Sequence, residues 1–296
     1  MDEISAKYIL THSDLFISNT SLEYFDSSYG SYDINGKDTV TEFVYNLYEW
    51  METYLGLESG LYEDNHVTVD DFIFEVYSNH VVLKECKSNA EKVTIPSEIN
   101  GVPVTIIDGS AFTPCQNLVE VVIPDSVKEI GTGAFANSNF LKTIVIPDSV
   151  VKIGETAFAN CSSLESIEIP DSVKEIGNGA FMRCTSLKNV KLPSGIAEIV
   201  HSMFMYCESL ETFVIPDTVK RIDQSAFIYC TSLKSVTVPS SVKEIGPAAF
   251  LCTGIDKLYY SGTAEEWKKI TIAQDNYNLD NIDIECQMAY PYHFDQ

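Results

Sequence analysis

A 23-residue repeat runs through most of this chain. Phenylalanine, proline and leucine each recur at this interval, proline from Pro124 to Pro239 and leucine from Leu118 to Leu233. The phenylalanines are Phe112, Phe135, Phe158, Phe181, Phe204, Phe227 and Phe250. A period of this length, kept in register by three residue types, predicts a solenoid, in which each coil buries its apolar side by stacking on its neighbours.

A single coil shows the local structure that this repeat predicts. Residues 164–169 carry an apolar pattern that ends in β-branched residues and indicates a strand, and Pro170 ends that strand because it lacks an amide hydrogen. Residues 173–176 suit a second short extended segment. Gly177 permits a tight bend, and the Ala-Phe pair at residues 180–181 suits one turn of 3₁₀ helix. Coils stacked about 4.8 Å apart would pair equivalent strands in parallel and align the phenylalanines in an internal ladder.

Both ends of such an array need a cap. Residues 72–76 and 81–84 alternate as strands and predict a hairpin that covers the N-terminal end, and the Asn-Gly pair at residues 100–101 predicts a second hairpin within the first coil. Apolar and aromatic residues are expected to cover the last coil: Tyr259, Tyr260, Trp267, Ile270, Leu279, Ile282 and Ile284.

The repeat resembles the BspA-like leucine-rich repeats. The resemblance rests on the Ile-Pro-Asp-Ser-Val-Lys-Glu-Ile-Gly pattern at residues 169–177, the Ala-Phe pair and the trailing Cys-x-x-Leu, and it covers roughly residues 72–286. It implies repeats without enzymatic activity in a surface or secreted bacterial or protist protein, often an adhesive one. Val200 and Asp223 replace the bend glycine of this pattern, so the bends of those two coils are expected to differ.

The expected fold is an α+β repeat solenoid, a leucine-rich repeat with a parallel concave sheet and 23-residue coils, preceded by a small N-terminal helical segment. Apolar residues at helical spacing predict an amphipathic helix over about residues 40–55. The predicted organisation is an acidic, aromatic-rich, mainly helical segment at residues 1–71, a capped solenoid at 72–286 (hairpin cap 72–90, seven coils 91–257, C-terminal cap 258–286), and a tail at 287–296.

Charge and hydropathy restrict the partners. The net charge of −24 argues against nucleic acid and favours another protein with a basic surface. No segment approaches 18 consecutive apolar residues, so no membrane insertion is expected. The first residues carry no export signal, which predicts a cytoplasmic protein if the chain is complete. The resemblance implies secretion or a cell-surface location if a leader has been removed.

The sequence predicts no catalytic residue, no metal and no cofactor. Cysteines at one repeat position would point the same way, whereas a disulfide needs converging β-carbons, so buried free thiols are expected. These cysteines are Cys115, Cys161, Cys184, Cys207 and Cys230. The sequence has no Cys-x-x-Cys pair of the kind that binds structural zinc. The calcium-like stretch at residues 33–40 lacks two of the ligands of a calcium loop and its turn glycine. The five histidines form no recognisable set with a nucleophile, which indicates a protein that is not an enzyme.

Two sets of residues outside the predicted core are candidate partner-binding positions. One row on the concave sheet is half apolar although its face should be exposed to solvent. This suits either a binding surface or the β-branched residues that are common in strands. The row consists of Val122, Val145, Glu168, Lys191 and Val214. The two residues that follow each ladder phenylalanine are Ala and Asn in the early coils and become residue types enriched at interfaces in the later ones. This change suits either binding or packing. The candidates are Arg183, Met205, Tyr206, Ile228 and Tyr229.

A third row of the predicted sheet alternates in charge from Lys142 onwards. Opposite charges on adjacent strands contribute about 0.2–1 kcal/mol per pair, so these residues are expected to hold the sheet in register. The row consists of Val119, Lys142, Glu165, Lys188, Glu211 and Lys234.

The leading functional hypothesis is non-catalytic protein recognition or adhesion through the concave sheet and one edge of the solenoid. One alternative is an inhibitor whose acidic N-terminal head occupies a basic site on its partner. Another is a structural spacer in a surface assembly.

Overall fold

The computed structural model describes residues 65–279 and 282–286. The predicted helix at about residues 40–55 and the calcium-like stretch at residues 33–40 both lie outside the described residues. Within the described ranges, no helix has the length and apolar character needed to cross a membrane.

A three-stranded antiparallel meander forms the N-terminal cap. Its strands are β1 (His66–Val69), β2 (Phe72–Val76) and β3 (Val81–Cys86). The predicted hairpin is confirmed as β2 and β3, and β1 adds a strand ahead of it. Phe74, Val81 and Leu83 are fully buried, so the meander covers the open end of the core.

The inserted hairpin of the first coil is also confirmed. β5 (Glu98–Ile99) pairs antiparallel with β6 (Val102–Ile107) across Asn100 and Gly101, whose φ values are 52° and 80°. Two successive left-handed residues match a type I′ turn, the conformation that an Asn-Gly pair favours. β6 then pairs in parallel with β3, which joins the cap to the coils.

One parallel strand from each of nine coils forms what we call the front sheet. Its strands pair in three blocks, β4-β7-β9, β11-β13 and β15-β17-β19-β21. They are β4 (Lys92–Thr94), β7 (Glu120–Val122), β9 (Thr143–Ile144), β11 (Ser166–Glu168), β13 (Asn189–Lys191), β15 (Thr212–Val214), β17 (Ser235–Val238), β19 (Lys257–Tyr260) and β21 (Asp283–Cys286). The first seven of these begin the seven phenylalanine-bearing coils, as the repeat predicts.

A second parallel sheet, the back sheet, is built from the shorter strands that follow the proline turns. β8 (Glu129–Ile130), β10 (Lys152–Ile153) and β12 (Glu175–Ile176) continue from β6. A separate block contains β14 (Glu198–Ile199), β16 (Arg221–Ile222), β18 (Glu244–Ile245) and β20 (Thr271–Ile272). The back sheet is therefore interrupted between β12 and β14.

The bend glycines explain this interruption. A β-carbon on Gly154 or Gly177 would lie 2.6 or 2.3 Å from backbone atoms of the preceding coil, so these coils approach one another more closely than a side chain at this position allows. Val200 occupies this position at the interruption, where a depression of about 580 Å³ opens. The expected difference at Val200 is confirmed. Asp223 differs in the sequence but leaves β14 and β16 paired.

The seven ladder phenylalanines form the centre of the core. All are buried, and neighbouring ring centroids lie 4.5–5.7 Å apart in stacked pairs. The backbone amide of each ladder phenylalanine before Phe250 also donates a hydrogen bond to a carbonyl of the next coil. The Phe135 amide, for example, lies 2.8 Å from the Ala157 carbonyl oxygen. At the last rung, the Asn276 side chain accepts the Phe250 amide hydrogen at 3.1 Å and so closes the ladder.

The C-terminal cap extends both sheets through β19, β20 and β21 and adds a short helix, α1 (Ala264–Trp267), with a capping box from Thr263 and Glu266. A 3₁₀ turn follows at Tyr277–Leu279. Six of the predicted cap residues are buried or pack against the core: Tyr260, Trp267, Ile270, Leu279, Ile282 and Ile284. The prediction for Tyr259 is wrong. Because side chains alternate along β19, Tyr260 points inward and Tyr259 outward.

Candidate interaction surface

The candidate row on the front sheet is exposed along the solenoid. Val145 and Val214 are 77% and 71% exposed, and Val122 is 40% exposed. Strand register places Glu168 beside Lys191, where the two side chains form an ion pair. The row thus has a charged, internally paired centre flanked by exposed valines.

The alternating-charge row does not hold the sheet in register through ion pairs. Its side chains form no ion pair with one another in the described part of the chain, so this prediction is wrong. The residues stand before the front strands, where backbone bonds join the coils, such as the 2.9 Å bond from the Lys188 amide to the Glu165 carbonyl. Inter-coil ion pairs lie in other rows: Lys92–Glu120 at 2.6 Å, Lys152–Glu129 at 2.7 Å and Arg221–Glu198 at 3.3 Å.

The second candidate set lies in the turn that leads from the back sheet to the front sheet. This turn was predicted as a 3₁₀ helix, but it forms hydrogen-bonded turns with a left-handed residue near each end. We call the residues at the second left-handed position the turn strip. In the five coils that contain Phe135 to Phe227 they are Asn137, Asn160, Arg183, Tyr206 and Tyr229, with φ values of 60–65°. Cys252 follows in the next coil with a φ of 58° and is not included in the strip.

The coil stack fixes the left-handed backbone of the turn strip. The amide of each strip residue donates to a carbonyl of the next coil, as in the 2.7 Å bond from Arg183 to Met205 and the 2.9 Å bond from Tyr206 to Ile228. Asparagine tolerates this conformation better than most residues. The asparagines at positions 137 and 160 were therefore the sequence signal for this position, and they were not interpreted in that way.

The strip side chains contact one another from coil to coil. The Asn160 side-chain amide donates to the Asn137 oxygen at 2.9 Å. The Arg183 guanidinium carbon lies 5.2 Å from the Tyr206 ring centroid, within cation–π range. The Tyr206 and Tyr229 rings stack with centroids 4.6 Å apart. The sequence therefore identified three side chains, Arg183, Tyr206 and Tyr229, that the fold brings into one continuous stack.

Two further features complete this surface. The preceding residues Met205 and Ile228 are half-buried, so they contribute to both packing and the surface. Nearby Cys252 and then Tyr206 raise the pKa of the Tyr229 phenol above its usual value, at which the hydroxyl is already protonated near neutral pH. The stack can therefore offer apolar area and phenolic hydrogen-bond donors to a partner.

A shallow groove of about 300 Å³ runs along the turn strip. Its other wall consists of residues two positions further along each coil, Asn139, Ser162, Thr185 and Glu208. The sequence interpretation missed this second line, although it repeats at 23 residues like the strip itself. The hydroxyls of Ser162 and Thr185 approach carbonyls of the preceding coil at 3.3 and 3.4 Å, so this wall is tied to the stack.

Sequence comparison identifies the family of these coils. The model of the BspA type leucine-rich repeat region matches in six copies, over residues 80–199 and 151–279. The chain belongs to this family. A comparison with curated proteins gave no match. BspA-type and other leucine-rich repeat regions are commonly protein-interaction or surface modules and are typically non-enzymatic.

Solved leucine-rich repeat proteins share the fold. A T. pallidum leucine-rich repeat protein is 30% identical, with a TM-score of 0.58 over 63% of this chain and 88% of that chain. A leucine-rich repeat protein from Bacteroides ovatus ATCC 8483 is 24% identical, with a TM-score of 0.55 over 70% of this chain and 67% of that one. The second likeness concerns the fold alone.

The BspA-type repeat determines the backbone of the turn strip but not its side chains. Every coil from Asn137 to Tyr229 has the same left-handed φ and the same inter-coil amide bond. Stacking the coils therefore does not require arginine or tyrosine at this position, because asparagine serves in two of the coils.

Proposed function

We propose that this protein is a non-catalytic recognition module that binds another protein, with the turn strip at the centre of the interface and the exposed front row as a second contact area. The observation that carries the proposal is the occupancy of three successive left-handed positions by Arg183, Tyr206 and Tyr229. The proposed contact residues are Val122, Val145, Glu168, Lys191, Val214, Arg183, Met205, Tyr206, Ile228 and Tyr229.

The energetic argument concerns the cost of the left-handed backbone. A left-handed residue other than glycine costs roughly 1–2 kcal/mol, and asparagine reduces this cost through local hydrogen bonds. Arg183, Tyr206 and Tyr229 forgo that benefit, and stacking recovers only about 0.5–1.5 kcal/mol per aromatic pair. The left-handed backbone itself comes from the coil stack, since Ser202, Ser225 and Ala248 of the same turns adopt it too. What distinguishes the strip is therefore the choice of side chain. Tyrosine and arginine are also the residue types that dominate binding energy at interfaces.

The front row supports a broader interface. Val145 and Val214 each expose more than 70% of their surface on a sheet face, and their burial by a partner would contribute favourable free energy. The net charge of −24 favours a partner with a basic surface, whose association would slow as salt screens the attraction. Adhesion is the form of recognition that the family resemblance suggests.

Capture from extracts of the native host tests this proposal with three matched proteins. The first is the wild-type chain, the second is Y206N/Y229N, which restores the residue of the early coils, and the third is the exposed control K188A. A protein retained by the first and third but lost from the second supports the strip as the interface.

Titration with that purified partner then measures the effect. We expect binding to weaken at least about 30-fold in Y206N/Y229N, equivalent to about 2 kcal/mol, because hot-spot residues lose this much on truncation. A further variant, V214K, reports on the front row. Equal affinity of all four proteins would remove both surfaces from the interface.

A further inference from the structure

Cys86, in the N-terminal cap, stands at a backbone position equivalent to those of the ladder phenylalanines. The amide of Cys86 donates to the Ala111 carbonyl at 2.8 Å, just as the amide of Phe112 donates to the Ala134 carbonyl at 2.9 Å. Cys86 is therefore the backbone equivalent of a ladder phenylalanine one coil before Phe112. Its side chain is a thiol where each of the seven coils has a phenyl ring.

This replacement brings two thiols together. The Cys115 sulfur lies 2.7 Å from the Cys86 sulfur and 3.2 Å from the Cys86 carbonyl oxygen. In later coils the corresponding thiol meets only a phenylalanine carbonyl, as Cys161 does with Phe135 at 3.2 Å. A disulfide has a sulfur–sulfur length of about 2.05 Å, so bond formation requires only a small closing movement.

The pair is isolated from the other thiols and shielded from water. Cys86 and Cys115 are 0% and 1% exposed, and Ser138 replaces the ladder cysteine of the next coil. The remaining ladder cysteines begin at Cys161 and follow the parallel arrangement that disfavours disulfides. A cross-link at this place would therefore involve Cys86 and Cys115 alone.

We propose that Cys86 and Cys115 form a disulfide that fastens the N-terminal cap to the first coil, with a low-molecular-weight disulfide such as oxidised glutathione as the oxidant. The Cys86 thiolate attacks the oxidant and forms a mixed disulfide, which releases one glutathione thiolate. Cys115 then loses its proton and attacks the Cys86 sulfur, which releases the second glutathione. The two protein thiols thus lose two protons and two electrons, and the oxidant is reduced to two thiols.

The contact shifts the pKa values of the two thiols in opposite directions while the cap is closed. The hydrogen bond from the Cys115 thiol lowers the pKa of Cys86, whereas the same bond, with burial, raises the pKa of Cys115. The exchange balances in the same way whichever of the two thiolates attacks the oxidant first. Because both side chains are buried, the exchange takes place before the cap docks or when it opens. The finished bond closes a loop that contains the β5–β6 hairpin and restricts the unfolded chain.

The sequence did not reveal this pair because the first coil contains an insertion. Cys86 and Cys115 are 29 positions apart, whereas the ladder thiols and their acceptor carbonyls are 26 positions apart. The inserted residues hide the equivalence of Cys86 to the phenylalanines. The predicted free thiols elsewhere in the ladder are unaffected by this cross-link.

Peptide mapping of the full chain tests the proposal directly. The protein is refolded in excess reduced glutathione or in excess oxidised glutathione, alkylated in denaturant, and digested with trypsin without reduction. Cleavage after lysine yields peptides 85–87 and 93–128, each with one of the two cysteines. We expect these two peptides to be joined only after oxidative refolding, with six alkylated cysteines left and a higher melting temperature than in the reduced protein.

A serine variant provides the control. C115S places a hydroxyl at the ladder position, as Ser138 does in the next coil. Its melting temperature is expected not to respond to glutathione, and peptide 85–87 should remain unlinked. The proposal is overturned if the wild-type peptides are both recovered alkylated and separate after oxidative refolding. It is equally overturned if Cys86 is joined to a different cysteine. The wild-type map decides the matter even if C115S does not fold.

Discussion

The rings of Tyr206 and Tyr229 lie face to face, with centroids 4.6 Å apart and planes within 4° of parallel, while both backbones are left-handed. This separation is close to the usual spacing of stacked coils, about 4.8 Å, so the solenoid backbone brings the rings into contact. Tyr229 is exposed, and the Arg183 guanidinium lies over the Tyr206 ring. The stack is thus a rigid surface whose side chains need little ordering when a partner binds.

Replacement of the tyrosine stack by asparagine should leave the fold intact. In Y206N/Y229N, relief of the left-handed backbone offsets the loss of ring stacking, each effect being about 1 kcal/mol. We expect the free energy of unfolding in urea to stay within about 1 kcal/mol of the wild-type value. A loss of about 3 kcal/mol or more would show that the tyrosines serve packing.

The repeating parts of the fold could be predicted from the sequence, because the same residue type recurs at the same position of several coils and so indicates one structural environment. Phe181 and Pro170 located the core and the strand end in this way. Tyr259 was misassigned because it occurs in the cap, where no repeat indicates its direction. The left-handed turn strip was missed because its residue types change along the array, and Cys86 because an insertion separates it from the repeat.

The phenylalanine ladder is expected to be the most sensitive part of the core. Phe181 is fully buried between Phe158 and Phe204, with ring centroids 5.6 and 5.7 Å away. Phe181→Ala would leave a cavity in the middle of the stack and should reduce the free energy of unfolding by about 3–5 kcal/mol. The control Lys188→Ala should change it by less than about 0.5 kcal/mol. Similar denaturant midpoints for the two variants would contradict the ladder.

Two glycine substitutions should have opposite effects on stability. A β-carbon on Gly177 would lie 2.3 Å from the Glu155 amide nitrogen, whereas one on Gly195 would meet no atom within 4 Å. Gly177→Ala should therefore destabilise the protein by about 1–3 kcal/mol through overpacking. Gly195→Ala should stabilise it by about 0.4–1 kcal/mol because the unfolded chain loses freedom. Thermal and urea unfolding of both variants measure the difference, and equal effects would remove the steric explanation for the bend glycines.

Hydrogen exchange should locate the interruption of the back sheet at Val200. The amides of Gly177 and Asp223 donate to Ile153 and Ile199 at 2.9 and 2.8 Å, and β12 and β14 form no such ladder at Val200. An amide that is not hydrogen-bonded in a sheet needs only a small local unfolding event to exchange, so it exchanges faster. The protection factor of the Val200 amide is therefore expected to be at least about tenfold lower than those of Gly177 and Asp223.

Two variants separate the steric cause of this interruption from an electrostatic one. Glu175 and Glu198 carry like charges on either side of the break, and burial raises the pKa of Glu198. If the Val200 side chain keeps the coils apart, V200G should raise protection at residue 200 towards the value at Gly177, and E198Q should leave it low. Recovery of protection in E198Q instead would assign the interruption to charge repulsion. Equal protection of residues 177, 200 and 223 in the wild-type protein would show that the back sheet is continuous in solution.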